Sequence, residues 1–149
     1  MVKPPMQAFR FHPAIHAWFE RRFGSPTEPQ ALGWPAIQSG NHTLIAAPTG
    51  SGKTLAAFLA SLDAEFRLGL EGQLRDETHV VYVSPLKALS NDIHKNLEEP
   101  LAEIRAAIKD ACGADIAVRA AVRTGDTSLR TARRWPANRR TSSSPRRNP

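Results

Sequence analysis

The chain has 149 residues and a hydrophobic fraction of 41%, enough for one domain with a packed core. Its single cysteine, Cys112, excludes an internal disulfide and a cysteine metal cluster, and reads as a small buried apolar residue. The net charge of +6 is local: seven arginines and no acid lie from Arg130 onward, which leaves thirteen bases against fourteen acids in the first 129 residues. Met1 to Arg10 holds two prolines and no apolar run, so neither a secretory signal nor a membrane span is expected, and the cytoplasm is the default location.

The periodicity predicts a short amphipathic helix over residues 9–23, with Ile15, Trp18, Phe19 and Phe23 on its inner face and Glu20, Arg21 and Arg22 turned outward. Gly24-Ser25-Pro26 stops it. Thr27 is placed to cap a second helix whose first turns hold Pro29 and Gln30 and whose inner face holds Leu32, Trp34 and Ile37. Ser39 to His42 is a turn. Leu44 to Ala47 reads as a strand, and a glycine-rich loop then leads into a helix running to about Leu68. Gly69 to Thr78 is a polar loop. His79 to Val83 is a continuous apolar run suited to a buried parallel strand, ended by Ser84-Pro85. Leu86 to Leu97 is helical, Pro100 interrupts, and Leu101 to Ala111 is helical again with Leu101, Ile104 and Ile108 aligned. Ile116 to Val122 reads as a third strand. Strands alternating with helices predict an α/β fold with a parallel sheet.

The stretch Ala47-Pro48-Thr49-Gly50-Ser51-Gly52-Lys53-Thr54 carries the chemistry. A triphosphate needs closely packed donors and positive charge. Glycines let backbone N–H groups face phosphates without an intervening Cβ. Lys53 supplies a point charge to the β- and γ-phosphates, Thr54 offers a hydroxyl to Mg²⁺, and the helix that follows adds its positive dipole end. Strand, loop and helix in this order give the pattern its structural context. Thr49, Gly50, Ser51, Gly52, Lys53 and Thr54 are thus the candidate ATP and Mg²⁺ site.

The spelling of this loop resembles that of superfamily 2 helicases, the DEAD/DEAH-like group. Upstream, Pro26-Thr27-Glu28-Pro29-Gln30 with Trp34-Pro35-Ala36-Ile37 and Gly40 resembles that group's Q motif, which implies that the Gln30 amide reads the adenine edge. Downstream, Val81 to Asp92 resembles motif Ia, where a strand end and a helix start meet a nucleic-acid backbone. The resemblance places Pro85, Leu86 and Lys87 there, and Thr124 and Gly125, within Arg123-Thr124-Gly125-Asp126-Thr127, on the same track. The particular wording resembles the large helicase-related, Lhr-like branch, over about residues 9–128. It implies a partial RecA-like P-loop lobe acting with ATP and Mg²⁺ on nucleic acid, DNA rather than RNA. Residues 1–40 would carry the Q-motif-like segment, 41–128 the ATP-binding part of the lobe, and 129–149 a disordered basic tail. His12 and His16 are four apart, but no third ligand stands nearby and surface histidines are the better reading. Asp92 and Asp126 read as cap and turn residues rather than catalytic acids.

No DExH or DExD box follows the segments reached here, and no second lobe, so catalytic residues are expected to be missing and the chain inactive alone. The tail from Trp135 to Pro149 offers an explanation. Its permitted codons, regrouped one nucleotide earlier, give Met-Ala-Arg-Gln-Pro-Pro-His-Ile-Leu-Val-Thr-Thr-Pro-Glu-Ser, which resembles the family's strand and Thr-Pro-Glu contact after Arg-Thr-Gly-Asp-Thr. A frameshift between about Asp126 and Trp135 is therefore expected. Two other readings stay open: a small P-loop kinase, and a basic nucleic-acid-binding module acting through the tail.

Overall fold

A computed structural model describes residues 4–83 and 87–121, the stretch 87–96 as backbone only. Four helices carry it: α1 (Pro13–Phe23), α2 (Glu28–Gln38), α3 (Lys53–Leu70) and α4 (Lys87–Cys112). The pairs α2/α3 and α1/α4 pack side by side.

The first two helices start where the sequence supplies a cap. His12 precedes Pro13 and its Nδ1 accepts from Ala14 N–H at 3.2 Å, while the fixed φ of proline suits the first helical position. Gly24, with φ +75°, ends α1 and donates to the Glu20 carbonyl at 2.9 Å. Thr27 and Gln30 form a capping box at the start of α2, as expected of Thr27.

The α1 stripe is Ala14, Ile15, Trp18 and Phe19, all buried. Phe23 departs from expectation at 45% exposed. It is the last residue of α1, and its ring is covered on one side only, by Trp18 and Phe19, at centroid distances of 5.8 and 5.1 Å. Leu32 also departs, at 71% exposed. The buried stripe of α2 is Gln30, Gly33 and Trp34. At about 100° per residue, Leu32 lies roughly opposite it.

Trp34 is the hub of the core, fully buried among Phe9, Phe11 and Phe19 with ring centroids 5.0, 4.9 and 5.5 Å away. Its indole N–H donates to the Ala56 carbonyl in α3 at 3.1 Å. Met6, Phe9 and Phe11 belong to the N-terminal arm, whose burial no periodicity announces because only Met6–Ala8 is helical, as a 3-10 turn. The arm is fixed by Asp63 of α3. Its buried carboxylate accepts from His12 N–H at 2.6 Å and from Arg67 Nε at 2.7 Å.

Pro100 does not divide α4, which runs unbroken through it. A proline inside a helix costs about 3 kcal/mol. Burial of Pro100, Ile104 and Ile108 offsets that cost, with Trp18 Nε1 donating to Glu103 at 2.6 Å from α1. Asp92 lies within α4 rather than at a cap. Cys112 is exposed, against expectation. As the last residue of α4 it stands level with His12, where α1 no longer covers it, and its Sγ lies 3.7 Å from His12 Nε2. His16 Nε2 contacts the Phe9 carbonyl at 3.1 Å, and no group of three metal-ligating residues occurs among the described residues.

No strand forms among the described residues. The runs expected as strands, at 44–47, 79–83 and 116–121, lie outside any helix and exchange no ladder bonds with one another. A strand is defined by its partner, and none is paired with these runs. Leu44, Val81 and Val83 are accordingly 92%, 75% and 82% exposed, while Tyr82 leans on Phe58 of α3 with centroids 5.0 Å apart.

Candidate functional site

Between Ala47 and Thr54 the backbone is shaped by two glycines, Gly50 with φ +77° and Gly52 with φ +86°. Both lie in the left-handed region that other residues enter at a cost. Gly50 faces open space: a Cβ there would meet nothing within 4 Å. The N–H groups of Gly50, Gly52, Lys53 and Thr54 have no acceptor among the described residues, since the first helical bond of α3 is Ala56 N–H to the Gly52 carbonyl at 2.9 Å. Ser51 Oγ is shut off from solvent and has no hydrogen-bond partner among the described residues. Unpaired amides followed by the start of an 18-residue helix make a strong acceptor-seeking surface.

Lys53 is the first residue of α3 and turns back over the loop. Its Nζ donates to the carbonyls of Ala47 and Pro48, the latter at 2.6 Å. Those two acceptors hold the ammonium beside the amides. Thr54, next in the helix, is exposed. The donor set suits a phosphate chain, and the exposed Thr54 hydroxyl is of the kind that ligates a hard cation.

Gln30 stands close to the loop but does not present its amide. It is 3% exposed. Its Oε1 accepts from Thr27 N–H at 2.9 Å and its Nε2 donates to the Gly52 carbonyl at 3.3 Å. Thr27 Oγ1 donates to the Ser51 carbonyl at 2.8 Å. Contact is so close that a Cβ on Gly52 would lie 2.5 Å from Gln30 Nε2. Thr49 is exposed on the loop. Of the residues expected on a nucleic-acid track, Lys87 is the first residue of α4, while Pro85, Leu86, Thr124 and Gly125 lie outside the described residues, as does Asp126.

Asp76-Glu77-Thr78-His79, in the loop after α3, carries the letters of a DExH box. Its acids are engaged elsewhere. Asp76 pairs with Arg119, Glu77 stands 3.6 Å from His79 Nε2, and His79 Nδ1 meets Glu65 at 2.9 Å. Glu65 is twelve residues beyond Lys53 in α3, about 18 Å along the helix axis. The quartet thus borders an open groove of about 510 Å³ beyond Leu68, at the end of α3 remote from the loop. It also precedes an apolar run instead of following one, which is the signal that separates it from a metal-holding box.

The family described as DEAD/DEAH box helicase matches residues 27–137. ATP-dependent helicase Lhr-Core protein 2 of Thermococcus barophilus is 51% identical over 115 residues, covering 76% of this chain and 13% of the relative. ATP-dependent helicase Lhr-Core of Methanothermobacter thermautotrophicus is 49% identical over 117 residues, covering 78% and 14%. The solved structure of Mycobacterium smegmatis helicase Lhr bound to ssDNA and AMP-PNP superposes with a TM-score of 0.73 at 44% identity, over 83% of this chain and 15% of that one. The chain therefore spans about 13–15% of the length of these relatives. The likeness gives it the RecA-like helicase fold, and the resemblance carried by the loop and its flanking segments is borne out. The chain belongs to the DEAD/DEAH box helicase family, on its Lhr-like branch.

Proposed function

We propose that this chain is an ATP-binding segment of a helicase that moves along or unwinds nucleic acid. The observation that carries the reading is the run of unpaired N–H groups at Gly50, Gly52, Lys53 and Thr54, beside the Lys53 ammonium. These donors would hold the phosphates, with Mg²⁺ on Thr54, and Thr49 and Ser51 would complete the loop wall. Bound ATP and Mg²⁺ would supply the phosphoryl group and the charge that neutralises it. The chain's own share is binding and orientation: amides fix the phosphate oxygens, and Lys53 exchanges its two carbonyl acceptors for them.

The finer parts of the reading follow. Residues 1–40 form the N-terminal portion, 41–128 the ATP-binding part of a lobe whose runs at 44–47, 79–83 and 116–122 would pair as a parallel sheet in a complete lobe, and 129–149 a basic tail. Pro85, Leu86, Lys87, Thr124 and Gly125 line the nucleic-acid track. DNA is the favoured partner, supported by the relative described as bound to ssDNA. The cytoplasm is the proposed location, and no described helix is long and apolar enough to cross a membrane. The tail arises from a frameshift between about Asp126 and Trp135, a reading supported by the codon regrouping and by a family match that ends at residue 137. Restoring the phase in the coding DNA should restore the apolar strand, with a DExH box beyond it.

A fluorescent ATP analogue titrated with Mg²⁺ tests the proposal. The 149-residue chain should bind it, Lys53→Ala should weaken binding at least tenfold, and no ATP turnover should appear with or without single-stranded DNA. Turnover stimulated by DNA would overturn the reading of the chain as inactive alone. Equal binding by Lys53→Ala would overturn the site.

A further inference from the structure

The two ring nitrogens of His79 have different surroundings. Nδ1 lies 2.9 Å from Glu65 Oε2 and 3.1 Å from Glu65 Oε1. An ionised carboxylate only accepts, so Nδ1 carries the ring proton and donates it to Glu65. In the neutral ring Nε2 is then a bare lone pair. It is shut off from solvent, has no hydrogen-bond partner among the described residues, and stands 3.6 Å from Glu77 Oε1. Two acceptors thus face each other across a gap that a positive ion would satisfy on both sides. The gap is close to that between two ligands of one tetrahedral ion: bonds of about 2.0–2.2 Å to imidazole nitrogen and carboxylate oxygen set the ligands about 3.4 Å apart. A carboxylate on the far ring N–H is the usual outer support of a metal-bound imidazole, because it fixes the tautomer and raises the basicity of the ligating nitrogen. Glu65 fills that place from α3, with its side chain and that of His79 only 14% and 17% exposed. His12 has the opposite arrangement. Its Nδ1 accepts from Ala14 N–H, so the proton of its neutral ring is on Nε2, facing Cys112 Sγ.

We propose that His79 Nε2 and Glu77 bind a divalent transition-metal cation of the zinc class, with Glu65 as the positioning residue. Both ligands line the open groove beyond Leu68, which leaves the remaining coordination positions to water. Glu77, 46% exposed, is the side that swings to admit the ion. Asp76 is paired with Arg119 and takes no part. No three ligating side chains converge among the described residues, so two side chains hold the ion, and more weakly than a closed four-ligand site would. Such a site differs from a box of acids around nucleotide-bound Mg²⁺, an ion that demands octahedral oxygen ligands and suits an imidazole poorly. It needs neither the phosphate loop nor a nucleotide. Once bound, the ion joins the loop after α3 to the start of the 79–83 run, and Glu65 anchors both to α3.

Zinc titrated into the 149-residue chain carrying Cys112→Ser, which removes the competing thiol, tests the proposal. The ¹⁵N signal of His79 Nε2 should move on binding while Nδ1 keeps its proton, and the melting temperature should rise with zinc concentration. Glu65→Gln should weaken zinc binding roughly 10- to 100-fold, Glu77→Gln by at least as much, and His79→Gln should abolish the melting shift, all with the helical circular dichroism unchanged. Millimolar Mg²⁺ should not displace the zinc. A His79 Nε2 signal that stays in place at millimolar zinc overturns the proposal without recourse to any variant at the site. So does zinc binding that is undiminished in His79→Gln or Glu77→Gln.

Discussion

His12 shows how one side chain can hold several parts of the molecule. Its ring caps α1 and approaches Cys112, and its backbone N–H is held by Asp63. Burial, and secondarily the Arg67 guanidinium and His16, push its pKa below the ordinary 6.5, while Asp63 pulls the other way. The folded chain therefore holds the proton less readily than the unfolded one. Above 6.5 both states are neutral at this position and nothing is lost. As pH falls through that value the unfolded chain takes up the proton first, so folding stability declines until the folded pKa is passed. The melting temperature should drop as the pH falls through 6.5, and His12→Asn, which keeps a capping oxygen, should flatten that drop. A slope unchanged in the variant would assign it to other groups. Glu103 and Asp115 have pKa values lowered by Trp18 and by Arg105 respectively, so their contributions are lost only in a separate, more acidic window.

At the scale of elements, α3 connects the loop to the rest of the core. Its far end is closed by a tight fit: a Cβ on Gly69 would lie 2.2 Å from Ile116 Cγ2, and Ile116 is 7% exposed. Gly69→Ala should gain up to about 1 kcal/mol of helix propensity but incur an overpacking cost of roughly 1–3 kcal/mol, for a net loss in urea midpoint. In an Ile116→Ala background the same substitution should cost less, because the 2.2 Å contact is gone and only the Cβ at 3.3 Å remains. Stabilisation in the parent chain would refute the fit. The helices were legible from local stripes and stops, as Gly24 and the Ile104/Ile108 pair show, although α4 was expected in two pieces and runs unbroken through Pro100. The loop was legible for the same reason. What escaped was non-local. Phe23, Leu32 and Cys112 have the right chemistry for burial but no neighbour above them, whereas Met6, Phe9 and Phe11 are buried by elements distant in sequence. Gln30 lies beside the loop, but its bonds to Thr27 and Gly52 depend on how α2 meets the loop, which no spacing reveals.

For the molecule as a whole, the apolar runs left without ladder partners are the main liability. Val81 and Val83 stand out at 75% and 82% exposed, a pattern that invites pairing between chains. Val81→Lys with Val83→Lys should lower self-association in light scattering while leaving the helical circular dichroism unchanged, since neither side chain supports the core. Unfolding of the double variant would instead show that these residues bury themselves in the monomer. Association and ligand binding need separate readouts, and the core supplies one. The Trp34 indole is sealed from water and tied to the first turn of the helix that begins at the loop. A displacement of that turn would alter the polarity and hydrogen bonding felt by the ring, and hence its ultraviolet emission. The chain thus carries a built-in optical gauge of its loop, readable without any label once Trp18 and Trp135 are replaced by phenylalanine.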